Sequence, residues 1–331
     1  MSSEAQWEGA VRALPVWIAA DAASQQVLEL VRKAASLPAT VLIAGESGTG
    51  KDQLAQLLHF LGPRRHKPVV KIDCASLPAE LLESELFGYE KGAFTGAYQA
   101  KPGRLELAGE GTLILDEIAS LSLPLQAKLL RVIEEKSFER LGGHTSIQIE
   151  ARLVALTNVE LAQAVERREF REDLYYRLFV LPVPIPPLRE RRDDILPLAE
   201  HFLTESAHEH PRRLSATAKR ALVAYDYPGN ARELRNLLSR AVIFCERDEI
   251  GAEHLPAYVQ AAATGAPVEK TLAEVEKDHI AAVLQRFRGR KQAAAAALGI
   301  SAKTLLEKRR KYGLDPPWTD RLPPGIYRPE D

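Results

Sequence analysis

Apolar residues recur along the chain in two rhythms, and their alternation predicts a layered α/β unit followed by helices. Ala23, Val27, Leu30, Val31 and Ala34 keep helical spacing, and Val41, Leu42 and Ile43 then form a short apolar run of strand character. Leu54, Leu57, Leu58 and Leu61 return to the helical period. Residues 68–72 (P-V-V-K-I), 111–117 (G-T-L-I-L-D-E) and 151–156 (A-R-L-V-A-L) read as further strands, with helical patterns over 77–87 and 124–135 between them. Strands that alternate with helices predict a parallel sheet flanked by helices. Pro182, Pro184, Pro186 and Pro187 break the pattern, which predicts the end of that unit. Helical spacing continues from Arg189 to Tyr258, interrupted at Tyr227-Pro228-Gly229-Asn230, and predicts a small helical unit.

Thr264, Gly265, Ala266 and Pro267 read as a linker, after which Leu272, Val275, Ile280, Val283, Leu284 and Phe287 mark an amphipathic helix. Residues 292–298, Gly299-Ile300 and 301–312 then have the lengths and the turn of a helix-turn-helix, with Ser301 placed to cap the second helix. On these residues alone, either a plain helical bundle or a DNA-reading module fits. The tail from Asp315 carries five prolines and is expected to be poorly ordered. The expected divisions are a segment 1–15, an α/β unit 16–187, a helical unit 188–258, a linker 259–270, a helix-turn-helix 271–313 and a tail 314–331.

Candidate chemistry gathers at predicted strand ends. Between the first strand and its helix lies Gly45-Glu46-Ser47-Gly48-Thr49-Gly50-Lys51-Asp52, a glycine-rich loop in the strand–loop–helix setting of a phosphate cradle. The glycines allow backbone N–H groups to approach phosphates, and Lys51 adds a point charge for the β and γ groups. Such loops usually follow the lysine with Ser or Thr; here Asp52 follows. Asp116 and Glu117 end a strand, where a magnesium-directing and a water-activating carboxylate are expected. By contrast, Gly88-Tyr89-Glu90-Lys91-Gly92-Ala93-Phe94-Thr95-Gly96-Ala97 has no periodicity with which to enter a core and reads as an exposed loop with an apolar tip.

Bulk properties narrow the class. The 331 residues are 46% hydrophobic and 27% charged, as in ordinary globular proteins. Net charge is only -1, yet residues 286–311 hold nine Lys or Arg against the single acid Glu307, so the C-terminal part is basic and the rest acidic. That asymmetry predicts a nucleic-acid module on an acidic body. Cys74 and Cys245 suit neither a disulfide framework nor a metal site and are expected as small apolar residues in a reducing cytoplasm. Neither a secretion signal nor a membrane-length apolar run is present, so a soluble cytoplasmic protein with no membrane partner is expected.

Taken together, these stretches resemble the bacterial enhancer-binding proteins, the AAA+ P-loop ATPases that activate sigma-54 RNA polymerase. The resemblance covers about residues 20–313. It rests on G-E-S-G-T-G-K-D, E-S-E-L-F-G-Y-E-K-G-A-F-T-G-A (83–97), G-T-L-I-L-D-E-I (111–118), F-R-E-D-L-Y-Y-R-L (170–178), V-P-I-P-P-L-R-E-R (183–191) and Y-P-G-N-A-R-E-L (227–234). Of these, G-A-F-T-G-A is the most specific. The family implies a parallel sheet flanked by helices, a small helical lid and a C-terminal Fis-type helix-turn-helix. It implies ATP and Mg2+ as cofactors, bound by residues 45–52, in a homo-oligomeric ring, usually a hexamer. Lys51 would bind phosphates, Asp116 would organise magnesium, Glu117 would polarise water, Asn158 would sense the γ phosphate and Arg232 would be the lid's sensor. Arg171 and Arg177 would act in trans on the neighbouring site. Gly92, Ala93, Phe94, Thr95, Gly96 and Ala97 would contact sigma-54 in the holoenzyme, while Lys291, Ser301, Lys303, Thr304, Lys308 and Arg310 would meet upstream enhancer DNA.

An acid at position 52 is common in this family. Asp73 stands where the family usually has Asn, and its carboxylate would act on Glu117. In the DNA module Arg309 replaces an inward leucine and Glu307 a common basic residue. No receiver or sensing domain precedes the ATPase, so regulation is expected from a trans-acting partner, from expression or from a domain outside this chain. Two other functions remain open on the residues: a AAA+ remodeller of a different protein, and a DNA-binding regulator whose ATPase is vestigial.

Overall fold

The computed structural model describes residues 15–206, 212–245, 247–263, 276, 277, 279–281, 283, 284, 287 and 291–314. The segment 1–14, residues 264–270 of the expected linker 259–270, Leu272, Val275, Arg286, Arg288, Arg290 and the tail from 315 lie outside the described residues, whereas 259–263 of that linker are instead helical, with Val259 in the core of the helical region. The chain divides into two units, Met1–Ala263 and Thr264–Asp331.

In the first unit α1 (Ala22–Ala35) precedes β1 (Val41–Ala44) and α2 (Lys51–Leu61). Asp21 starts α1 as N-cap, accepting from the Ala23 N–H. Next come β2 (Val69–Asp73), α3 (Ala79–Phe87), a ribbon of β3 (Gly88–Tyr89) and β4 (Lys101–Pro102), α4 (Arg104–Ala108) and β5 (Thr112–Asp116). They are followed by α5 (Leu123–Glu135), a ribbon of β6 (Ser137–Glu139) and β7 (Ser146–Gln148), β8 (Arg152–Thr157), α6 (Leu161–Glu166), α7 (Glu172–Leu178) and β9 (Leu181–Pro184).

Five of these strands form one parallel sheet in the order β2-β5-β8-β1-β9. The two-residue period of a strand divides its apolar side chains between two cores. Leu42, Leu113, Leu115 and Ala155 enter one with α3, α5 and α7, whereas Val41, Ile43, Ile114, Val154, Leu156 and Val183 enter the other with α1 and α2. Helices therefore cover both faces, as the alternating pattern predicts.

The proline-rich stretch behaves differently from expectation. Rather than only ending the unit, Leu181–Pro184 is itself the edge strand beside β1. The Ile185 N–H donates to Ala44 O at 2.7 Å, so by alternation Pro182 and Pro184 present their missing N–H groups to the side that needs no partner.

The helical region contains α8 (Ile195–Ser206), β10 (Arg213–Leu214), α9 (Ala216–Ala224), α10 (Asn230–Phe244), β11 (Glu249–Ile250) and α11 (Ala257–Ala263). Its spacing is thus not helical throughout, since β10 and β11 pair in parallel. A separate core joins Leu188, Ile195, Leu222, Tyr227, Leu234 and Leu238. Tyr227 is fully buried and its hydroxyl donates to Leu222 O at 2.7 Å.

The second unit holds α12 (Lys291–Ala297) and α13 (Ala302–Tyr312), packed through Ala294, Ala295 and Leu305 with Ile280 and Leu284. Ser301 caps α13 by accepting from the Thr304 N–H at 3.0 Å, as expected.

One buried charge ties the sheet to α1. Arg152, 5% exposed at the start of β8, donates to Ala34 O at 2.7 Å and Ala35 O at 3.0 Å, the carbonyls that end α1. Arg152→Met fills a similar volume but orphans these acceptors, and should lower unfolding free energy by about 2–4 kcal/mol. Urea unfolding followed by circular dichroism measures this; a loss below about 0.5 kcal/mol would show that the carbonyls find other partners.

Candidate nucleotide-binding site

A parallel sheet delivers all its carboxyl ends to one edge, and β1 lies where the strand order reverses. Loop 45–50, Asp73, Asp116 with Glu117, and Asn158 leave the sheet along that edge. Beside it is a cavity of about 520 Å³, lined by residues 47–53, Lys71, Asp116, Glu117 and Arg232, together with Trp17, Arg191 and the α8 face. Its size is that of a small-molecule site.

The loop is shaped by two glycines. Gly48 has φ +80°, and a Cβ there would lie 2.3 Å from Gly229 O. Gly50, at φ +101°, turns the chain into α2 under the Trp17 ring. Lys51 folds back onto the loop, donating to Gly45 O at 2.9 Å and Glu46 O at 3.3 Å. Burial pulls its ammonium below the ordinary lysine range, against the pull of Glu117 and Asp116.

On the opposite wall, Asp116 Oδ1 accepts from the Glu117 N–H at 3.0 Å. Glu117 has a left-handed backbone, φ 51°, and its carboxylate accepts from the backbone N–H of Asn158. Burial pushes the Glu117 carboxyl above the ordinary range; Lys51 opposes this, while Asp116 and Asp73 add to it. Asp73 is exposed and accepts from the Ala75 N–H at 2.9 Å. Next to it Cys74 is buried, and burial with these three acids pushes its thiol up to about 12, so it is inert.

Sequence reading missed several residues here. Lys71 reaches both Asp52 Oδ1 and Asp116 Oδ2 at 2.8 Å, and its only sequence signal is a lone charge inside an apolar strand. Trp17 lies 5.3 Å from the Arg191 guanidinium, and Arg191 donates to Thr49 O at 2.7 Å. Glu46 is not a lining residue. Arg189 grips its carboxylate at 2.6 and 2.9 Å and Asn230 donates to it at 3.1 Å, which holds it below the ordinary carboxylate range and joins the loop to the helical region. Gly45 likewise stands behind the cavity, while Arg232 donates to Ser47 Oγ at 2.8 Å within it.

Two polar atoms around this cavity, Trp17 Nε1 and Arg191 Nε, are buried donors without a hydrogen-bond partner. A nucleotide, which offers both acceptors and negative charge, suits that set. Asp52 and Asp116 supply hard oxygens fit for magnesium, an ion held by one or two carboxylates together with phosphates. No three His, Cys, Asp or Glu side chains converge on a metal position among the described residues.

Arg171 and Arg177 do not line the cavity. Arg171 makes a two-point bond to Asp173 at 2.7 and 3.0 Å, and Arg177 meets Glu134 at 3.0 Å, both on the surface. The loop 88–97 stands apart as well. Thr95 is exposed and Phe94 is 47% exposed, its ring edge-on to Tyr89 at 4.9 Å. Ala97, grouped with the tip in the sequence reading, is instead buried at the loop's base, where it accepts from the Gly92 N–H at 2.8 Å.

In the second unit Lys303 and Arg310 are exposed and Thr304 Oγ1 bonds Ser301 Oγ at 2.8 Å. Lys308 pairs with Glu276, which also accepts from the Tyr312 hydroxyl. Of Lys291 the backbone alone is described, in α12. Among the described residues, no helix is long and apolar enough to cross a membrane.

Comparisons with known proteins agree with this geometry. Residues 17–184 match the sigma-54 interaction domain, 189–272 the AAA+ ATPase lid domain, and 271–312 the bacterial regulatory proteins of the Fis family. The regulatory protein AtoC of Escherichia coli (strain K12) is 45% identical over 298 residues, spanning 86% of this chain and 65% of its own. The nitrogen fixation protein VnfA of Azotobacter vinelandii is 44% identical over 299 residues, spanning 88% and 57%. The chain thus spans between about half and two thirds of the length of these relatives. Among solved structures, NtrX from Brucella abortus in complex with ADP superposes with a TM-score of 0.71 at 30% identity, over 91% of this chain and 70% of that one. NtrX in complex with ATP gives 0.70 at 31% identity, over 90% and 70%. The chain therefore belongs to the sigma-54 interaction domain family of AAA+ ATPases, joined to an AAA+ lid and a Fis-family helix-turn-helix.

Proposed function

We propose that the chain is an ATP-dependent activator of sigma-54 RNA polymerase, which works as a homo-oligomeric ring, a hexamer by resemblance, while its C-terminal unit holds upstream enhancer DNA. The observation that carries this reading is the meeting of Lys51, Asp116, Glu117 and Arg232 around one cavity. Lys51 and the N–H groups of loop 45–50 hold the phosphates of ATP. Asp116 and Asp52 hold Mg2+, whose contribution when bound is to neutralise phosphate charge. Glu117 accepts a proton from the attacking water, for which a carboxyl raised by burial is better suited than an exposed one. Asn158 reports the γ phosphate to the sheet edge, and Asp73 tunes Glu117 by its charge.

Arg171 and Arg177 do not line their own cavity, and in this reading they serve the site of an adjacent copy, where an arginine stabilises charge in the transition state. Arg171 must first leave Asp173. Phe94 and Thr95 engage sigma-54 and touch no part of the cavity. The cytoplasm is where such a partner and DNA are met.

The test of the ring is complementation. Lys51→Ala and Arg171→Ala proteins should each lack ATPase activity, and an equimolar mixture should regain it at roughly a quarter of the interfaces. Phosphate release measures this; a mixture as inactive as its parts would overturn action in trans.

Thr95→Ala should keep hydrolysis within about twofold while losing capture of sigma-54 by the protein trapped with an ATP transition-state analogue. Both are measured on one preparation. Loss of hydrolysis and capture together would mean that Thr95 only closes the turn.

For the DNA unit, Lys303→Ala or Arg310→Ala should each lower the salt dependence of binding by about one counterion, whereas Lys308→Ala, already paired with Glu276, should leave that slope unchanged. Fluorescence anisotropy across a salt series reads the slopes. Equal slopes for all three variants and the parent would remove α13 from the phosphate contacts.

A further inference from the structure

Lys71 is a charged group at the cavity that the proposed chemistry leaves without a role. Parallel pairing sets β2 beside β5 with Lys71 opposite Ile114 and Asp73 opposite Asp116. From there the Lys71 ammonium reaches Asp52 Oδ1, on the first turn of α2, and Asp116 Oδ2, at the end of β5, both at 2.8 Å. The second oxygen of each acid is held elsewhere. Asp52 Oδ2 accepts from Gln56 Nε2 at 3.1 Å, and Asp116 Oδ1 from the Glu117 N–H at 3.0 Å. Each carboxylate therefore offers its remaining oxygen to the same point, and the ammonium sits between them.

Two carboxylates aimed at one point repel unless a cation joins them. A divalent ion bound through oxygen seeks the same two atoms. Lys71 is compact in charge, long in stem and 38% exposed at its side chain, so it can withdraw from Asp116 without disturbing the sheet.

We propose that Lys71 is a built-in counter-ion of the site before nucleotide binds: it closes the metal position between Asp52 and Asp116 and yields Asp116 Oδ2 only when a phosphate chain arrives with the divalent ion. This rests on reading the cavity as a nucleotide site. Phosphate oxygens complete the shell of the incoming ion and give the displaced ammonium a new anion. Metal alone brings neither, so it competes poorly with a cation already in place.

The experiment measures Mn2+ binding to the full chain without nucleotide, from the free-ion electron paramagnetic resonance signal, in the parent, Lys71→Met and Lys71→Arg. Lys71→Met should bind Mn2+ at least about tenfold more tightly than the parent, and Lys71→Arg, which keeps the charge, should match the parent. Added ADP should bring all three within about threefold. Without nucleotide, MgCl2 should raise the melting temperature of Lys71→Met and leave that of the parent unmoved. If Lys71→Met does not fold, Lys71→Gln removes the charge with a shape that keeps a polar contact, and the same affinities are read. Nucleotide-free Mn2+ affinity in the neutral variant equal to or weaker than the parent's would overturn the role of Lys71. Calorimetric titration of the parent with ADP separates the two readings: no ADP binding removes the nucleotide site itself, whereas ADP binding with an unchanged neutral variant removes only the counter-ion.

Discussion

The placement of β1 between β8 and β9, parallel to both, is the constraint from which the site follows. Val41 and Ile43 are wholly buried on one face and Leu42 on the other, so β1 can neither slip by one residue nor leave the sheet without exposing one of its two apolar sets. Registers of Val41 with Val154 and of Thr112 with Arg152 and Val69 then fix where each strand ends. Four polar exits meet as a result. Chemistry-bearing residues separated by more than a hundred positions share one edge because apolar residues elsewhere in their strands have no other place to go.

Charge at that edge is arranged in linked pairs rather than as free ions. Lys51 lies over its own loop carbonyls while facing Asp116 and Glu117, and Lys71 joins Asp116 to Asp52. Arg191 is 2% exposed, packs on Trp17 and lies 3.5 Å from the fully buried Asp194, which also accepts from the Ala20 and Asp21 N–H groups and the Ser24 hydroxyl. Truncating one partner of such a pair leaves the other buried and uncompensated. The same logic extends to the helical region through Glu46, whose carboxylate is shared by Arg189 and Asn230, while Asn230 also accepts from the Leu188 N–H at 2.7 Å. A change in the loop therefore reaches the helical region through charge as well as through packing.

Much of this was legible in the sequence, and what was not has a common cause. Strands buried on both faces declare themselves as apolar runs, which is why β1, β5 and β8 stand out, and the glycine-rich loop is marked by needs that only glycine meets at Gly48 and Gly50. The edge strand β9 was hidden because prolines signal a break more strongly than they signal an unpaired edge. Strands of two residues, β10 and β11, are below any periodicity. Lys71 and Trp17 carry no local pattern, and Arg191 is marked only as the last residue of the V-P-I-P-P-L-R-E-R run, since each owes its position to partners distant in sequence. Glu46 lies within a phosphate-loop motif yet serves Arg189, 143 positions away, and Lys308 lies within a basic helix yet serves Glu276, 32 positions away. Residue type and motif predict that a charge is present; the fold decides to which partner it is committed.

The loop at Phe94 is shorter as a mobile element than its glycines suggest. Gly88 and Tyr89 pair with Pro102 and Lys101, the Glu90 N–H donates to Leu141 O, and the Leu141 N–H donates to Gly88 O, both at 3.0 Å. Arg140 bridges Glu90 at 3.0 Å and Glu106 at 2.7 Å, and Ala93 packs so closely on Gly142 that a Cβ there would come within 2.9 Å. The Ala97 N–H donates to Phe94 O at 3.0 Å and closes the turn. The base is thus tied at both stems to the β6–β7 ribbon region and to β4, and only the turn from Phe94 to Gly96 projects beyond these bonds. A turn so tied cannot reach a partner by uncoiling, because extension would break the bonds at its base. Displacement of Thr95 has to be carried by the supports, α3 and the ribbon around Arg140, as bodies. Leu82, Leu86, Phe87 and Phe138 bury those supports in the same core that Leu113 and Leu115 of β5 enter on their way to Asp116. The exposed tip and the acids of the cavity therefore rest on one packed layer, and rigid packing of this kind passes a small shift onward instead of absorbing it.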